Sequence, residues 1–256
     1  MIEAYQADGS WRAKIRRRAV RFAFRRPARA PERPMISFSF DDVPATATEA
    51  GAAILERRGL KGTYYIAAAM AGTDAATGRM ACADAVRRLA SAGHEIGCHT
   101  YSHLDCGQAA ASEAVEDAAR NAETLEHWGL PRPATFAYPF GDVAPATKHA
   151  LAPRFALMRA LHAGLITAGA DLNQAPAVGI EGPGGEALAR RWIARAAGRR
   201  AWLILYTHDV ADQPSPWGCT PAALAGLADA ALAAGFDVVT VAEGARRLGR
   251  GEPAAQ

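Results

Sequence analysis

From Met35 onward, short apolar runs alternate with longer amphipathic stretches. The apolar runs predict β-strands near residues 35–40, 62–67, 93–98, 134–138, 154–159, 202–207 and 236–240. Strands that alternate with helices form repeated βα units around a parallel sheet. The sequence therefore predicts an α/β fold with about seven parallel strands, fewer than the eight of a regular α/β barrel.

Two of the connecting helices have clear signals. Residues 110–128 place alanine, valine and leucine on one helical face and charged side chains on the other. Residues 221–234 follow Thr220 as N-cap, with Pro221 in the first turn and Gly235 at the end. Residues 161–185 are rich in glycine and lack a period, which predicts a long loop over the rim of the sheet.

The first 33 residues differ from the rest in charge. They contain ten basic and three acidic residues, whereas the whole chain has a formal net charge of only +3. Within residues 10–26, four apolar positions share one helical face and arginines occupy the others, which predicts a basic amphipathic helix. The apolar face consists of Trp11, Ile15, Ala19 and Phe22. Three prolines up to Pro34 predict a stiff linker, so we divide the chain into residues 1–33 and a domain at 34–256.

This basic segment has several interpretations. It could lie on an anionic membrane surface, pack on the domain with its arginines in solvent, or fray as a tail. Nucleic acid is disfavoured because no recognisable nucleic-acid-binding motif accompanies the charge. No apolar region follows the N-terminal charges, so we expect no secretory signal peptide and a cytoplasmic location, with the option of peripheral attachment to the inner face of the plasma membrane. The four cysteines lack the spacing of a disulfide framework, and we expect reduced thiols.

Candidate chemistry follows the ends of predicted strands. Asp41 and Asp42 end the first strand, and His99 and His103 follow the third. One carboxylate and two imidazoles are a ligand set for a divalent metal with an open coordination position. The second carboxylate would then be available as a base. Because the carboxyl ends of parallel strands meet at one rim, we expect these side chains to lie close together.

These segments resemble the motifs of the NodB-type polysaccharide deacetylase family, from about Pro34 to the C-terminus. The run Ser39–Val43 is similar to the family's Thr-Phe-Asp-Asp-Gly, and His99–His103 matches His-(Ser/Thr)-x-x-His. Phe136–Gly141 resembles the aromatic-Pro-aromatic-Gly loop, and Leu203–Asp209 resembles the last motif, a strand that ends in His-Asp. The resemblance implies a distorted (β/α) barrel and is nearest in style to short cytosolic deacetylases of exopolysaccharide or adhesin pathways.

The resemblance also implies roles for particular residues. Asp42, His99 and His103 would bind the metal, with Zn²⁺ expected and Co²⁺ or Mn²⁺ as alternatives. Asp41 would be the general base and His208 the general acid. The oxyanion and substrate site would include Tyr138, Pro139 and Phe140, with the backbone N–H of Phe140 in the oxyanion hole. Cys98 and Cys106 bracket the histidines and are either additional ligands or small buried residues.

The chain departs from the family pattern at several positions. Val43 stands where the family usually has glycine, and Ala137 stands where many members have an arginine that steadies the catalytic aspartate. Arg159 could replace that arginine in the substrate site, or form a surface salt bridge instead. The aspartate that orients the acid histidine is not evident, and Asp171 or Asp209 could serve.

We therefore expect a metal-dependent N-deacetylase that acts on N-acetylated amino sugars of a bacterial polysaccharide or its lipid-linked precursor. One alternative is an amidase or deformylase for small substrates on the same scaffold. The other is a glycan-binding protein without catalytic activity. The sequence indicates neither the sugar nor the oligomeric state.

Overall fold

The computed structural model of the chain describes residues 11–248, except for the side chains of residues 12–14. The helices are α1 Trp11–Ala19, α2 Ala52–Glu56, α3 Ala83–Ser91, α4 Ala111–His127, α5 Pro145–Leu151, α6 Gly182–Ala196, α7 Pro221–Ala233 and α8 Val241–Leu248. The strands are β1 Met35–Asp41, β2 Thr63–Ile66, β3 Asp74–Ala75, β4 Gly78–Arg79, β5 Glu95–Cys98, β6 Thr135–Ala137, β7 Leu157–Arg159, β8 Val178–Gly179, β9 Trp202–Thr207 and β10 Asp237–Val238.

One parallel sheet organises the domain. Its strand order is β7-β6-β5-β2-β1-β9-β8, and β10 pairs with the first two residues of β1. The two edges approach each other through a single bridge between Arg159 and Ala175. The sheet is thus an incompletely closed barrel, which confirms the predicted distorted (β/α) fold. Strand β8 and the small β3-β4 hairpin were not expected from the sequence.

Alternation along the strands separates two layers of side chains. In β1, Ile36, Phe38 and Phe40 belong to the main hydrophobic cluster, which also contains apolar residues of α2, α3, α6 and α7. Successive strand side chains point to opposite faces, so Ser39 and Asp41 point into the barrel. All seven residues of β1 are buried, as expected for a parallel strand covered on both sides. The polar residues of β1 are therefore the ones available to an interior site.

The glycine-rich segment differs in part from the prediction. Residues 161–181 form a loop interrupted by one helical turn and by β8, but α6 begins at Gly182. Gly182, Gly184 and Gly185 therefore belong to the first turn of a helix. Gly185 packs so closely that a Cβ there would lie 2.4 Å from the Ile180 carbonyl carbon, so glycine at this position serves close approach rather than flexibility.

The N-terminal segment is attached to the barrel. Ala28 N–H donates to Ala170 O and Leu172 N–H donates to Arg26 O, so residues 26–28 run beside residues 170–172. The buried Lys148 ammonium binds both Val20 O and the carboxylate of Asp171. No described helix has both the length and the apolar character that a membrane crossing requires.

Helix α1 contacts the barrel with a face other than the predicted one. Arg16 and Arg17 form ion pairs with Asp142, at 2.6 and 3.5 Å, and Val20 is buried. The predicted apolar face is exposed instead, with Ile15 at 58% and Phe22 at 75%. The interpretation of a packed helix with its arginines in solvent therefore holds only in part, because the buried Asp142 draws Arg16 and Arg17 inward whereas Arg18 is exposed.

Candidate active site

Both carboxylates at the end of β1 reach the rim because the strand ends in a tight turn. Val43 N–H donates to Asp41 O at 2.5 Å, and Asp42 and Val43 have φ of 58° and 59°. A continued strand would direct Asp42 to the face opposite Asp41. The left-handed turn redirects it, at a conformational cost that is largest for the β-branched Val43. This backbone conformation accounts for the glycine that the resembling family usually has at this position.

The two histidines lie on a constrained loop after β5. Thr100 and His103 both have positive φ, at 59° and 58°. Thr100 Oγ1 accepts a hydrogen bond from Leu104 N–H at 2.8 Å, which closes the loop locally. Surrounding contacts hold these two residues in their strained left-handed conformations, as is usual at functional sites.

Asp117 of α4 holds this loop from outside. Its Oδ1 accepts from Tyr101 N–H at 2.6 Å and from Ser102 N–H at 3.0 Å. In the sequence, Asp117 is one of the charged residues on the polar face predicted for residues 110–128. Aspartate often accepts hydrogen bonds from nearby backbone N–H groups, but these partners are 16 and 15 residues away in the chain, so no local pattern indicated them.

Asp42, His99 and His103 come together as predicted. One ligand atom from each lies within 4.8 Å of the others, and His99 Nε2 and His103 Nε2 are 3.4 and 3.2 Å from Asp42 Oδ1. His99 Nδ1 is 2.8 Å from Ala137 O, and donation to this carbonyl leaves Nε2 as the free ligand atom. These three residues could hold a metal ion.

The donor set fits a divalent cation. Asp42 Oδ1 is buried without a hydrogen-bond partner, and a buried orphan oxygen is costly unless a cation satisfies it. Burial, reinforced by the neighbouring His103, lowers the pKa of His99 to about 4, so this imidazole is neutral as a metal ligand requires. Cys98 and Cys106 are buried outside this group of ligands, and burial raises the pKa of Cys98 to about 12, which suits the interpretation as small buried residues.

Asp41 lies beside Arg159 inside the barrel. Both side chains are buried, and Arg159 Nη2 donates to Asp41 Oδ1. Burial opposes ionisation of Asp41, but the guanidinium and the nearby imidazoles of His99 and His208 outweigh it, so the pKa of Asp41 lies below its ordinary value. Arg159 is paired in register with Ala137 on the adjacent strand. The guanidinium therefore reaches this carboxylate from the strand next to the one that carries arginine in many members of the resembling family.

His208 lies against a carboxylate that sequence reasoning missed. Its Nδ1 is 3.1 Å from Glu181 Oε1, and its Nε2 is 3.9 Å from Asp42 Oδ2. Burial alone would lower the pKa of His208, but Glu181 and then Asp41 outweigh it and raise the pKa to about 9. Glu181 directly precedes the first residue of α6. It lies in the glycine-rich stretch that the sequence predicted to be a loop, so no motif indicated a role for it.

The two aspartates expected beside His208 have other partners. Asp171 binds Lys148 Nζ at 2.6 Å, and Asp209 Oδ2 accepts from Ser215 N–H at 2.8 Å. Both are buried and committed to these contacts. The prediction that one of them orients His208 does not fit the structure, since Glu181 occupies that place.

The loop after β6 forms another part of the rim. Phe140 has a φ of 58°, and its ring centroid is 4.5 Å from that of His103. Pro139 is buried. Tyr138 is also buried, and its hydroxyl donates to Asn173 O at 2.9 Å. A substrate contact through the Tyr138 phenol therefore does not fit, because this group is used in the core.

Comparisons with known proteins find a related family over part of the chain. Residues 28–153 match the family model described as polysaccharide deacetylase. A chitin deacetylase from Arthroderma benhamiae is 37% identical over 70 residues, which are 27% of this chain but only 18% of that protein. The chain thus spans a small part of the length of this curated relative.

Solved structures share the fold at low sequence identity. The chitin deacetylase of Colletotrichum lindemuthianum has a TM-score of 0.63 at 17% identity, over 88% of this chain and 92% of that one. A family 4 acetyl xylan esterase from Clostridium thermocellum, solved with a cobalt ion, has a TM-score of 0.57 at 20% identity, over 82% and 89%. Residues 28–153 thus match the polysaccharide deacetylase family, and the fold is shared with these solved structures over most of the chain.

Proposed function

We propose that this protein is a metal-dependent N-deacetylase that hydrolyses the acetamido group of N-acetylated amino sugars. The observation that carries the proposal is that a group of candidate metal ligands and a candidate base and acid lie together at one rim of the sheet. Asp42, His99 and His103 lie close enough together to hold a metal ion, and the buried Asp41 and His208 lie beside this group. Amide hydrolysis needs an activated water, a stabilised oxyanion and a proton for the leaving amine.

Named residues of the chain would meet each of these requirements together with a bound metal. A divalent metal held by Asp42, His99 and His103, with Zn²⁺ proposed and Co²⁺ or Mn²⁺ as alternatives, would supply Lewis acidity toward water and the amide carbonyl. Asp41, kept ionised by Arg159, would take the proton of the attacking water. The N–H of Phe140 would donate to the developing oxyanion.

His208 would deliver the proton to the leaving amine. A general acid must be protonated when the substrate binds, and the raised pKa of about 9 keeps this imidazole charged at neutral pH. Glu181 would orient the ring through Nδ1, which directs Nε2 toward the metal group. The presence of a candidate base and a candidate acid beside one metal-ligand group suits hydrolysis better than simple glycan binding.

The proposed substrate is a bacterial polysaccharide or its lipid-linked precursor. The curated relative and one solved structure are chitin deacetylases, and chitin is a polymer of an N-acetylated amino sugar. Residues 10–26 would bring the protein to an anionic membrane surface, in keeping with a peripheral place on the inner face of the plasma membrane.

Acetate release tests the proposed activity. Purified protein supplied with Zn²⁺, Co²⁺ or Mn²⁺ is expected to release acetate from N-acetylglucosamine oligomers, and D41N and H208Q are expected to lower kcat by about 10²–10⁴-fold. D212N and H127Q, at exposed positions, are the matched controls and should keep the wild-type rate.

Two outcomes would contradict the proposal. Release of amine from small amides or formamides, with none of acetate from oligomers, would favour the small-substrate amidase. Binding of oligomers without acetate release under any metal would favour the non-catalytic glycan-binding protein.

A further inference from the structure

The described chain exposes large apolar side chains mainly in its N-terminal segment. Ile15, Phe22 and Phe24 are 58%, 75% and 49% exposed, and Trp11 is exposed beside them. Elsewhere in the described residues, Leu232 on α7 is the one large hydrophobic side chain with comparable exposure, at 43%. Clustered exposure of this kind marks an interaction surface, whereas a single exposed leucine does not.

Basic side chains accompany the apolar ones. Arg18, Arg21 and Arg25 are exposed in the same segment, and no acidic residue occurs between Ser10 and Pro31. Arg16 and Arg17 are drawn inward by Asp142, so the outward surface consists of apolar groups flanked by arginines. This pattern is typical of a helix that lies in the headgroup region of an anionic bilayer.

The same segment is fixed to the catalytic rim. Asp142 directly follows the Pro139–Gly141 turn, and its carboxylate binds Arg16 at 2.6 Å. A Cβ at Gly107 would lie 2.8 Å from Asp142 Cγ and 3.0 Å from Arg16 Nη2, so α1 also lies against the loop that follows His103. Through Arg16, the segment that carries the exposed surface is thus attached to the loop after β6 and lies against the loop that follows His103.

Rigid contacts hold the rest of the segment. Lys148 binds Val20 O, Asn173 donates to Phe24 O, and the Phe24 ring stacks on His149 with 4.2 Å between centroids. A surface attached in this way keeps one orientation relative to the active site, unlike a surface on a flexible tether.

We propose that residues 11–25 dock on anionic lipid and present the active-site rim to the bilayer surface, so that the preferred substrate is a lipid-linked glycan. This inference rests on the proposed deacetylase function. Lipid is favoured over nucleic acid because the exposed groups include the aliphatic Ile15, which gives nothing to base stacking or to phosphate binding. Anionic headgroups would complement the exposed arginines, while the bilayer boundary would take up Ile15, Phe22 and Phe24.

Vesicle sedimentation and acetate release together test the proposal. Full-length protein is expected to bind phosphatidylcholine vesicles that contain about 30% phosphatidylglycerol, because this share of anionic lipid gives a negative surface potential. It should bind vesicles of pure phosphatidylcholine weakly. The variant I15E/F22E should lose vesicle affinity by about tenfold or more, since two apolar groups no longer enter the boundary and two negative charges face it. L232E is the matched control and should bind as wild type does.

The activity measurement separates this inference from the proposed function. I15E/F22E should keep the wild-type rate on soluble N-acetylglucosamine oligomers and lose about tenfold or more on an N-acetylglucosaminyl lipid embedded in the anionic vesicles. Wild-type vesicle affinity in I15E/F22E would overturn the proposal, as would equal binding to neutral vesicles. Binding of a duplex oligonucleotide in place of vesicles would assign the segment to nucleic acid. If the wild type releases acetate neither from soluble oligomers nor from the vesicle-embedded lipid, the deacetylase function is refuted, and lipid binding can still be measured by vesicle sedimentation.

Discussion

At the scale of single residues, Arg159 places a cation beside the buried Asp41 from a different strand than the resembling family often uses. Its guanidinium is buried between the rings of Tyr65 and Tyr206, with 5.1 Å to each centroid, and donates to Asp41. Ala137, its register partner on β6, has the position where the resembling family often has arginine. The physical requirement is one cation beside a buried carboxylate, and either strand can satisfy it.

We expect R159A to lower kcat by about 100-fold or more, because the buried Asp41 loses the cation that keeps it ionised as a base. The double variant A137R/R159A should recover about tenfold of that loss, since the guanidinium then reaches Asp41 from the adjacent strand. Acetate release measures both, with the exposed R154A as control. A double variant no more active than R159A, yet equally folded by circular dichroism, would contradict this explanation.

At the scale of elements, the loop that carries the two histidines depends on α4. Asp117 accepts hydrogen bonds from two consecutive backbone N–H groups between His99 and His103, and Ser102 Oγ donates to its other oxygen at 2.9 Å. Both Thr100 and His103 are in strained left-handed conformations that need external support. Helix α4 therefore holds the loop of the two histidines as well as covering the sheet.

The variant D117A should weaken Zn²⁺ binding by about 10–100-fold, as is usual when a group that orients metal ligands is removed. Competition with a chromogenic chelator measures the affinity. E116A, at an exposed position on the same helix, should leave the affinity unchanged. Equal Zn²⁺ affinity for D117A and wild type would show that the loop keeps its shape without this tether.

At the scale of the whole molecule, a buried histidine links pH to stability. His94 Nδ1 accepts from Gly62 N–H at 2.9 Å, and its Nε2 is 3.0 Å from Glu56 Oε1, so it joins β5 to the end of α2 and the start of β2. Burial lowers the pKa of His94 below its ordinary value of 6.5, although Glu56 opposes this. His94 therefore binds a proton more readily in the unfolded chain than in the folded one. Its contribution to the free energy of unfolding is present above about pH 6.5 and is lost as the pH falls toward the pKa of His94 in the folded protein.

We expect H94N to be less stable than wild type at pH 7.5 by about 1 kcal/mol, because the hydrogen bond to Glu56 is lost while the acceptor for Gly62 N–H is kept. The difference should narrow at pH 5, since asparagine does not titrate. Urea unfolding at the two pH values gives both free energies. The exposed H127N is the control, and a difference that stays constant with pH would contradict the assigned role of His94.

The fold and much of the site could be predicted from local patterns. Period-two alternation with buried apolar runs indicated the strands, and polar residues directly after those runs indicated a shared rim, because parallel strands end at one edge. Positions at strand ends indicated one carboxylate with His99 and His103 as a ligand set, and the family resemblance indicated Asp42 as that carboxylate. The first glycines of α6 were assigned to a loop because helix propensity opposes them, and packing against Ile180 overrides that propensity.

What the sequence alone predicted is a set of candidate metal ligands and the edge of the sheet where they lie. Only the tertiary structure decided which partner each ionisable group has: Arg159 for Asp41, Glu181 for His208 and Asp117 for the histidine loop. It also decided that the apolar face of α1 points to solvent. These pairings join residues that are far apart in the chain, and a charge or hydrogen-bond partner is chosen by distance and burial in space, which no local period records.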